Sequence, residues 1–415
     1  PLAETDEKKR MLTATITSEN DKKIANPTVI WTSSNSDIVS VAEKTDNAVT
    51  GLAADKTTAS SSAVLTLKKG GSVTITATSQ DGNKKAQCKV TVVDAPVLRE
   101  ANQTVSANVG STYQLHMDFA PTQDKSKLNW TSNNPDVVSI AKNEDGALLT
   151  MKKAGAAVIE AVYTSGSGKF TQQCYALALT ENETPPQPET GALLTYKQNP
   201  GCTDDTPYIN KMLRDYEWGD STHVREVTLY LPAGVYHIDA TAGGNDSLGN
   251  YKFGGIVLTT NQKLVMSPSA LLVALPNNKG NSQVINITGR DGVSVSGGQI
   301  IGERKEHKGS GGEWGHGIAV FGGTNVTIEN VDISQCWGDG IYLGFYDGPN
   351  TYSDTITIKN CNLHHNRRNN LSITDARNVT VKDCAFNYAS GADPQYGIDI
   401  EPNKNRTCSN VTISD

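Results

Sequence analysis

The chain has 415 residues, of which 37% are hydrophobic, 20% charged and 6% aromatic. A formal net charge of −7 excludes the broad basic surface that recruits nucleic acid or an anionic membrane, and no apolar run approaches the ~18 residues that span a bilayer. The 37 glycines favour an all-β protein, and the seven cysteines lack the spacing of a disulfide framework or a zinc site.

One sequence pattern occurs twice in the first 180 residues. The segment WTSSNSDIVSV at 31–41 returns as WTSNNPDVVSI at 130–140, and in both copies apolar and polar residues alternate over short runs. Such alternation, interrupted by Gly and Asn, is typical of a small β-sandwich. We expect both tryptophans to pack between the sheets of their sandwich.

The two copies resemble the bacterial immunoglobulin-like domains of intimin- and invasin-type surface proteins. The resemblance implies two spacer domains, at residues 1–94 and 95–180, the first with an incomplete N-terminal strand. Residues 181–191 are rich in Pro and Glu and indicate a semi-rigid polar linker. Residues 192–415 then form a separate domain, and we expect the chain to be part of a longer polypeptide because its last coil lacks a capping segment.

A single helix is predicted at the start of this last domain. Asp204 or Asp205 can cap its first turn, and an apolar stripe follows at Ile209, Met212 and Leu213. Because a stack of strands leaves an open edge, we expect the helix to cover the first coil.

A coarse repeat of roughly 23–33 residues then runs to the end of the chain. Short strands at this spacing can stack in parallel, each on its own next repeat, around a shared apolar interior. The sequence therefore predicts a right-handed parallel β-helix. One strand series has its cores at 293–295, 326–328, 356–358, 379–381 and 411–413, and a second series at 316–320, 339–343, 369–373 and 396–400.

Aligning the first series places two further sets of side chains in columns. One column stacks thiols beneath a valine, where they act as small buried hydrophobes: Val331, Cys361 and Cys384. The other places amides at matching turns, where they can hydrogen-bond along the coil axis: Asn325, Asn378 and Asn410.

This last domain resembles the pectate-lyase-like superfamily of right-handed β-helix proteins. The resemblance is carried by TDDT at 203–206, LPAGVY at 231–236, LVMSPSALL at 264–272 and GVSVSGG at 292–298. The superfamily includes polysaccharide lyases, polygalacturonase-type hydrolases, uronan epimerases and phage tailspike depolymerases. The resemblance thus implies a polysaccharide-active protein without selecting the reaction.

Candidate site residues lie on and beside the second strand series, where one side chain per coil, ~4.8 Å apart, could meet an extended glycan. Trp and Tyr faces suit sugar rings, and Arg can bind a uronate in a bidentate fork. The catalytic candidates are Asp399, Glu401, Asp339, Arg368 and Tyr396. The substrate-binding candidates are Trp314, His316, Trp337, Tyr342, Arg367 and Asn369.

Asp399 and Glu401 form the sharpest pair, because positions two apart on a strand share a face, roughly 6–7 Å apart. They could divide acid and base roles across a glycosidic bond, or Asp399 could neutralise a substrate carboxylate while Tyr396 or Arg368 takes the proton. YGIDIE at 396–401 is loosely similar to the YGFDPHE signature of alginate-type epimerases but lacks its Pro-His. An outward acidic pair is also compatible with an ordinary solvated face.

No cofactor is firmly indicated. Asp347 and Asp354 lie in one loop and could hold Ca²⁺, and His364–His365 could contact substrate or metal. We predict an extracellular protein, secreted or displayed on a cell surface or virion, that cleaves or modifies an acidic glycan. The alternative is a non-catalytic glycan- or receptor-binding appendage such as an adhesin or tailspike, the latter as a homotrimer.

Overall fold

The computed structural model describes residues 9–18, 24–43, 58–68, 70–92, 95–120, 123–165, 168–199, 201–216, 226–241, 254–346 and 352–415. The chain divides into two compact units. The first comprises Pro1–Val97, Met117–Asn129 and Ala161–Thr171, and the second Leu98–His116, Trp130–Glu160 and Gln172–Asp415. The sequence-based boundaries at 94, 180 and 191 remain a prediction.

The first sandwich consists of two antiparallel three-stranded sheets, in the orders β1-β4-β3 and β2-β5-β6. Its strands are β1 (Lys9–Thr17), β2 (Val29–Ser33), β3 (Val39–Glu43), β4 (Thr58–Leu67), β5 (Gly71–Ser79) and β6 (Lys85–Val92). Trp31 is half-buried against the apolar core between these sheets, and its Nε1 donates to Ser61 Oγ over 3.1 Å. The expected core position of this tryptophan is thereby confirmed.

The strands of the second repeat form two four-stranded sheets, in the orders β10-β13-β14-β8 and β11-β12-β9-β7. They are β7 (Val97–Leu98), β8 (Thr104–Asn108), β9 (Thr112–Asp118), β10 (Leu128–Ser132), β11 (Val138–Lys142), β12 (Gly146–Met151), β13 (Gly155–Ser165) and β14 (Gly168–Leu179), with a 3-10 turn at Lys125–Lys127. Trp130 is half-buried here.

The predicted parallel β-helix is confirmed, since each strand pairs in parallel with the corresponding strand of the next coil. The first sheet contains β15 (Ala192–Thr195), β16 (Val227–Leu231), β19 (Gln262–Met266), β22 (Ser294–Ser296), β25 (Thr324–Glu329), β28 (Ser353–Lys359), β31 (Ala376–Lys382) and β34 (Ser409–Ser414).

Two further sheets complete the coils. The second sheet contains β17 (Gly234–Ile238), β20 (Ala270–Ala274), β23 (Gln299–Ile301), β26 (Asp332–Ser334), β29 (Asn362–His364) and β32 (Ala385–Asn387). The third sheet contains β18 (Ile256–Leu258), β21 (Asn281–Thr288), β24 (Trp314–Phe321), β27 (Ile341–Gly344), β30 (Leu371–Ile373) and β33 (Ile398–Ile400). All three sheets contribute to one apolar interior.

The predicted helix spans Thr206–Asp215 (α1) and buries Ile209 and Leu213 completely. Its Asn210 side chain donates to Gly255 O and accepts from the N–H of Val257. These two bonds pair backbone groups at the otherwise open edge of β18. The helix therefore covers the first coil, as expected.

The expected cap of the first turn is supplied by Asp204, whose Oδ1 accepts the N–H of Thr206 over 3.0 Å. Asp205 occupies the N-cap position but makes no capping hydrogen bond. It is instead fully buried and accepts from Tyr196 OH, Gln198 Nε2 and the N–H of His237, each over 2.8 Å. Because these partners come from β17 and from the segment after β15, Asp205 ties the start of the β-helix together.

The thiol column is present as predicted. The amide column links Asn378 to Asn410, whereas Asn325 Nδ2 donates to Asp291 Oδ1 over 2.7 Å instead. Val331 and Cys361 are buried with Cys384 packed on the same core, and the N–H of Cys361 lies 3.4 Å from Cys384 Sγ. In the amide column, Asn410 Nδ2 donates to Asn378 Oδ1 over 2.6 Å, and Asn378 Nδ2 donates in turn to Asp354 Oδ1 over 2.7 Å. Stacked hydrogen bonds therefore link successive coils.

The second repeat is docked on the β-helix rather than held away from it by a free linker. Within the second unit, Val158 and Tyr175 of the sandwich share an apolar cluster with Val235 and Leu271 of the second sheet. Glu183 of the predicted linker accepts hydrogen bonds from Tyr230 OH at 2.9 Å and Ser267 Oγ at 2.8 Å. The connector is thus fixed on the coils at this residue.

Candidate functional site

The third sheet carries the predicted outward row. Ala319 pairs in register with Tyr342, Tyr342 with Ser372, and Ser372 with Asp399. The neighbouring inward positions Ile318, Ile341 and Leu371 are fully buried. Because strand residues alternate between faces, the register places the four named side chains on the outer side of the sheet, one per coil. Ala319 and Ser372 are nevertheless fully covered there, and Asp399 is half-buried.

A column of polar side chains lies where each strand of the third sheet begins. The sequence treated these positions as part of an outer groove, but the structure buries the column almost entirely. The exposed fractions are 0% for Gln283, 3% for His316, 0% for Asp339 and 0% for Asn369, whereas Tyr396 at its end is 54% exposed. The turns that precede the strands cover the column, so only its last member reaches solvent.

Asp339 is a completely buried carboxylate with two donor groups beside it, the N–H of Asn369 and Arg368 Nη1. Its Oδ1 accepts the N–H of Asn369 at 3.0 Å, and Arg368 Nη1 lies 3.3 Å from Oδ2 and 3.4 Å from Oδ1. Burial raises the pKa of Asp339 to about 6, although Arg368 and the hydrogen bonds oppose that shift. This residue cannot touch a glycan directly, so a positioning role fits it better than the direct role considered from sequence.

Arg368 connects the buried carboxylate to the surface. Its side chain is 16% exposed, its Nη1 donates to Ser372 Oγ over 3.3 Å, and its Nε lies 3.6 Å from Glu313 Oε2. The guanidinium is therefore flanked by Asp339 on the inside and by a half-exposed glutamate on the outside.

The Asn369 side chain hydrogen-bonds to three other residues of the site. Its side-chain Nδ2 donates over 3.0 Å both to Ser372 Oγ and to Asp399 Oδ2, and its Oδ1 accepts the N–H of Tyr396 at 2.9 Å. Asp399 is half-buried and Glu401 is exposed. The structure thus joins four of the five catalytic candidates, Asp339, Arg368, Tyr396 and Asp399, in one network, with Glu401 two residues beyond.

His316 is a neutral member of the column. The N–H of Asp339 donates to its Nδ1 over 3.3 Å, so its Nε2 carries the proton, and its ring stacks on Tyr342 with 4.7 Å between centroids. Burial, and to a smaller extent Arg368, lowers the pKa of His316 to about 3. The side chain supports Tyr342 from beneath rather than binding substrate itself.

Trp337 was expected to offer a face to a sugar ring, and the structure contradicts this. His307 stacks on the indole at 3.7 Å and the Arg367 guanidinium lies 3.8 Å from a ring centre. Two groups this close cannot share one face, so they cover opposite faces. Trp337 Nε1 also donates to Gly311 O, and Arg367 Nη1 donates to Gly312 O. The stack fixes residues 303–313 beside the site.

Other aromatic side chains are open to solvent. Trp314 and Tyr396 are each 54% exposed, and Tyr388 is 74% exposed. Tyr388 escaped the sequence analysis, although its ring packs on His365 at 4.9 Å between centroids. The sequence repeat could have found Tyr388. It follows the strand Ala385–Asn387 by one residue, and His365 holds the corresponding position one coil earlier.

The two aspartates considered as Ca²⁺ ligands, Asp347 and Asp354, are not seen together in the structure. Asp347 lies outside the described residues, and Asp354 Oδ1 accepts from Asn378 Nδ2 and Thr355 Oγ1. Within the described ranges, the structure holds no cluster of three or more His, Cys, Asp or Glu suited to a metal ion. His364 Nε2 lies 3.2 Å from Asp332 Oδ1 and its Nδ1 lies 2.8 Å from His365 Nδ1.

Family comparisons agree with the fold. Residues 250–415 match the family model of the right handed beta helix region, and residues 100–174 match that of the bacterial Ig-like domain (group 2). None of the helices in the described part of the chain is long and apolar enough to cross a membrane.

Two curated relatives come from Bacillus subtilis strain 168. The uncharacterized protein YclG is 38% identical over 216 residues, which are 48% of this chain and 36% of that protein. The SPbeta prophage-derived uncharacterized protein YorA is 37% identical over 163 residues, 36% of this chain and 28% of that protein. The match therefore spans about a third of the length of these relatives.

Solved structures with a similar fold include three carbohydrate-active proteins. The tailspike gp49 of Acinetobacter baumannii bacteriophage Fri1, a capsular polysaccharide depolymerase, has a TM-score of 0.40 at 16% identity, covering 62% of this chain and 46% of that one. The A-module of the Azotobacter vinelandii mannuronan C-5 epimerase AlgE6 has a TM-score of 0.39 at 16% identity, covering 52% of each chain. The catalytic domain of a GH87 alpha-1,3-glucanase has a TM-score of 0.37 at 14% identity. The match covers 91% of this chain and 66% of that one.

Proposed function

We propose that the chain belongs to an extracellular polysaccharide-cleaving enzyme whose active site surrounds Asp399 on the third sheet. One observation carries the proposal: a fully buried carboxylate, Asp339, holds Arg368 and the backbone of Asn369, and Asn369 in turn donates to the accessible carboxylate of Asp399. This network connects the interior of the coils to a reactive group at the surface.

The free-energy cost of burying the Asp339 carboxylate supports a functional interpretation. Removing an ionised carboxylate from water costs several kcal/mol even after relaxation, and an apolar side chain at this position would stack on its neighbours without that cost. Buried charges with a perturbed pKa and a specific charge partner are concentrated at functional sites. Asp339 therefore serves to hold Arg368 and Asn369 in one orientation beneath the substrate.

Hydrolysis is the reaction that these groups support best. One carboxyl group, of Asp399 or Glu401, donates a proton to the glycosidic oxygen as the bond from that oxygen to the anomeric carbon breaks. The other, as a carboxylate, accepts a proton from the water whose oxygen bonds to that carbon. Glu401 directly follows the strand Ile398–Ile400 that carries Asp399. Residues two apart in extended backbone are roughly 6–7 Å apart, close to the spacing of inverting enzymes.

A lyase or epimerase reaction is less compatible with this geometry. Both require a base that removes a proton from a sugar carbon, and Arg368 was one candidate for it. Its guanidinium donates to Asp339 and Ser372 and lies beside Glu313, so it serves to hold these groups rather than to reach a sugar carbon. Tyr396 is then the remaining base candidate for an elimination.

A non-catalytic glycan-binding appendage is the second candidate function. It is favoured by the exposed aromatic rings of Trp314, Tyr388 and Tyr396, because such rings bind the apolar faces of sugars without any acid or base. The two functions differ in whether Asp399 is needed for anything beyond binding.

Incubation with a panel of neutral and acidic polysaccharides tests the proposal. New reducing ends without ultraviolet absorbance indicate hydrolysis, whereas an absorbing unsaturated product indicates a lyase. We expect Asp399→Asn to lower turnover by at least about 10²-fold while the melting temperature stays nearly unchanged, because a half-buried outer residue contributes little packing. Glu329→Gln, an acid on the first sheet paired with Lys359, is the matched control. Binding without any cleavage would leave only the appendage function.

A further inference from the structure

The charged groups around Asp399 differ in how far they are available to a ligand. The arginines donate to acceptors of the protein itself, whereas several carboxylates are open to solvent. Sequence analysis led to an acidic glycan because paired arginines can bind uronates. The contacts of each arginine in the structure argue for the opposite ligand class.

Arg368 lies between two carboxylates, although its buried Nε makes no hydrogen bond. Its Nη1 donates to Asp339 and to Ser372 Oγ, and its Nε faces Glu313 Oε2 at 3.6 Å. A sugar carboxylate that approached this guanidinium would have to compete with two carboxylates already beside it. The half-exposed Glu313, whose side chain is 50% exposed, would also repel it.

The other arginines are engaged in similar ways. Arg367 lies flat on Trp337 and donates to Gly312 O and Trp337 O over 2.9 and 3.2 Å. Arg304 donates to His365 O over 2.7 Å. Arg406 donates to Asp375 over 3.4 Å. In the described part of the chain, each arginine near the site thus serves to fix its loops.

The acceptors that remain open are mainly carboxylates. Glu401 and Asp393 are exposed, Asp399 is half-buried, and Glu313 is half-exposed. The exposed lysines of the segments around the site are Lys308 and Lys404, together with Lys305, which is paired with Glu160 at 2.6 Å. These cations are fewer than the four carboxylates. Carboxylate oxygens accept hydrogen bonds from sugar hydroxyl groups well, but they repel a second anion in the same groove.

We infer that the glycan units bound over Asp399 and Arg368 carry no carboxylate, so that the substrate is an uncharged polysaccharide. This inference rests on the proposed function for its site and deepens it by naming the substrate class. Exposed Trp314, Tyr388 and Tyr396 fit the same class, because neutral pyranose rings present apolar C–H faces to aromatic rings.

The test measures binding of the whole chain to two sets of oligosaccharides, neutral glucans and mannans against polygalacturonate, alginate and hyaluronate. We expect at least about 10-fold tighter binding of the best neutral ligand, with an affinity that hardly changes between low and high salt. Binding of the polyuronates should be weak and should improve as salt screens the repulsion. Tighter binding of any polyuronate at low salt would overturn the inference.

A matched pair of variants examines the physical cause. Glu313→Gln removes the outer carboxylate beside Arg368 and should strengthen polyuronate binding several-fold, with little effect on neutral ligands. Glu329→Gln, on the first sheet, removes the same charge elsewhere and should change neither. Equal effects of the two variants would contradict the inference, because only net charge would then matter.

The two proposals fail in different ways. Cleavage of a polyuronate by the unmodified chain overturns the uncharged substrate but leaves the enzymatic proposal intact. Specific binding of a neutral glycan with no cleavage overturns the enzymatic proposal and leaves the ligand class intact. Absence of binding to both sets overturns both.

Discussion

The side-chain amide of Asn369 donates to Asp399 Oδ2 across 3.0 Å, from one coil of the β-helix to the next. The same asparagine offers its backbone N–H to Asp339 Oδ1, also at 3.0 Å. A single residue therefore sets the orientation of the accessible carboxylate relative to the buried one. Groups held in this way lose little freedom when a substrate binds, which is how enzymes pre-organise a site.

Replacing Asn369 with alanine should lower turnover by ~10²-fold with a smaller change in KM, because Asp399 loses the donor that orients it. Steady-state kinetics on a cleaved polysaccharide provide the measurement. Asn362→Ala is the control, since Asn362 Nδ2 also donates to an aspartate of the adjacent coil, Asp332, but on the second sheet. Equal losses in both variants would mean that the amide only stabilises the coils.

Asp339 makes the stability of the protein depend on pH in an unusual direction. Its pKa is about 6 in the folded chain and 3.8 as a free group, so between these values the folded state binds more protons than the unfolded state. This residue therefore contributes stability at low pH that is lost as the pH rises from about 4 to about 6. For a shift of this size the contribution is on the order of 3 kcal/mol.

Comparison with Asp339→Asn isolates that contribution, because the variant cannot titrate there. Urea denaturation at pH 4, 5, 6 and 7 should show the unmodified chain gaining stability relative to the variant as the pH falls. His316, whose pKa is lowered to about 3, acts in the opposite direction below its ordinary value of 6.5, but it is present in both proteins. A difference that stays constant with pH would show that Asp339 does not change its protonation state in this range.

The amide column makes a prediction about Asn378, which has a φ of 52°. Alanine there should cost ~2–3 kcal/mol, because it loses hydrogen bonds to both neighbouring coils and must adopt a left-handed conformation. Glycine should cost about 1 kcal/mol less, since it adopts positive φ without strain. The free energies of unfolding in urea give both values. An alanine variant as stable as the glycine variant would contradict the argument.

Much of the β-helix could be predicted from sequence because its register repeats. When Ile341 stacks on Ile318 and beneath Leu371, the apolar interior exists only in that alignment, and a shift by one residue would turn every core side chain outward. The outward row at Tyr342 and Asp399 follows from the same alternation. Periodicity therefore predicts which residues share a column and a face.

Periodicity could not predict what covers a column. His307 belongs to the segment between the strands Gln299–Ile301 and Trp314–Phe321, whose conformation strand spacing does not define, so no repeat revealed that it stacks on Trp337. The burial of Asp339 depends likewise on the turns that fold over the strand ends, and turn conformations do not follow from strand spacing. Docking of the second sandwich also escaped prediction, because it depends on two surfaces that are far apart in the sequence, around Val158 and Leu271.

That docking leads to a test of how far the second sandwich stabilises the β-helix. Val158 is 9% exposed and Leu271 is fully buried in the shared apolar cluster, so Val158→Asp places a charge in a dry contact at a cost of several kcal/mol. Amide hydrogen exchange in the strands at Gly234–Ile238 and Ala270–Ala274 should accelerate in this variant, because these strands lose their cover. Val109→Asp, at a 39% exposed position of the same sandwich, should leave exchange unchanged. Protection that persists in Val158→Asp would show that the β-helix is stable without the docked sandwich.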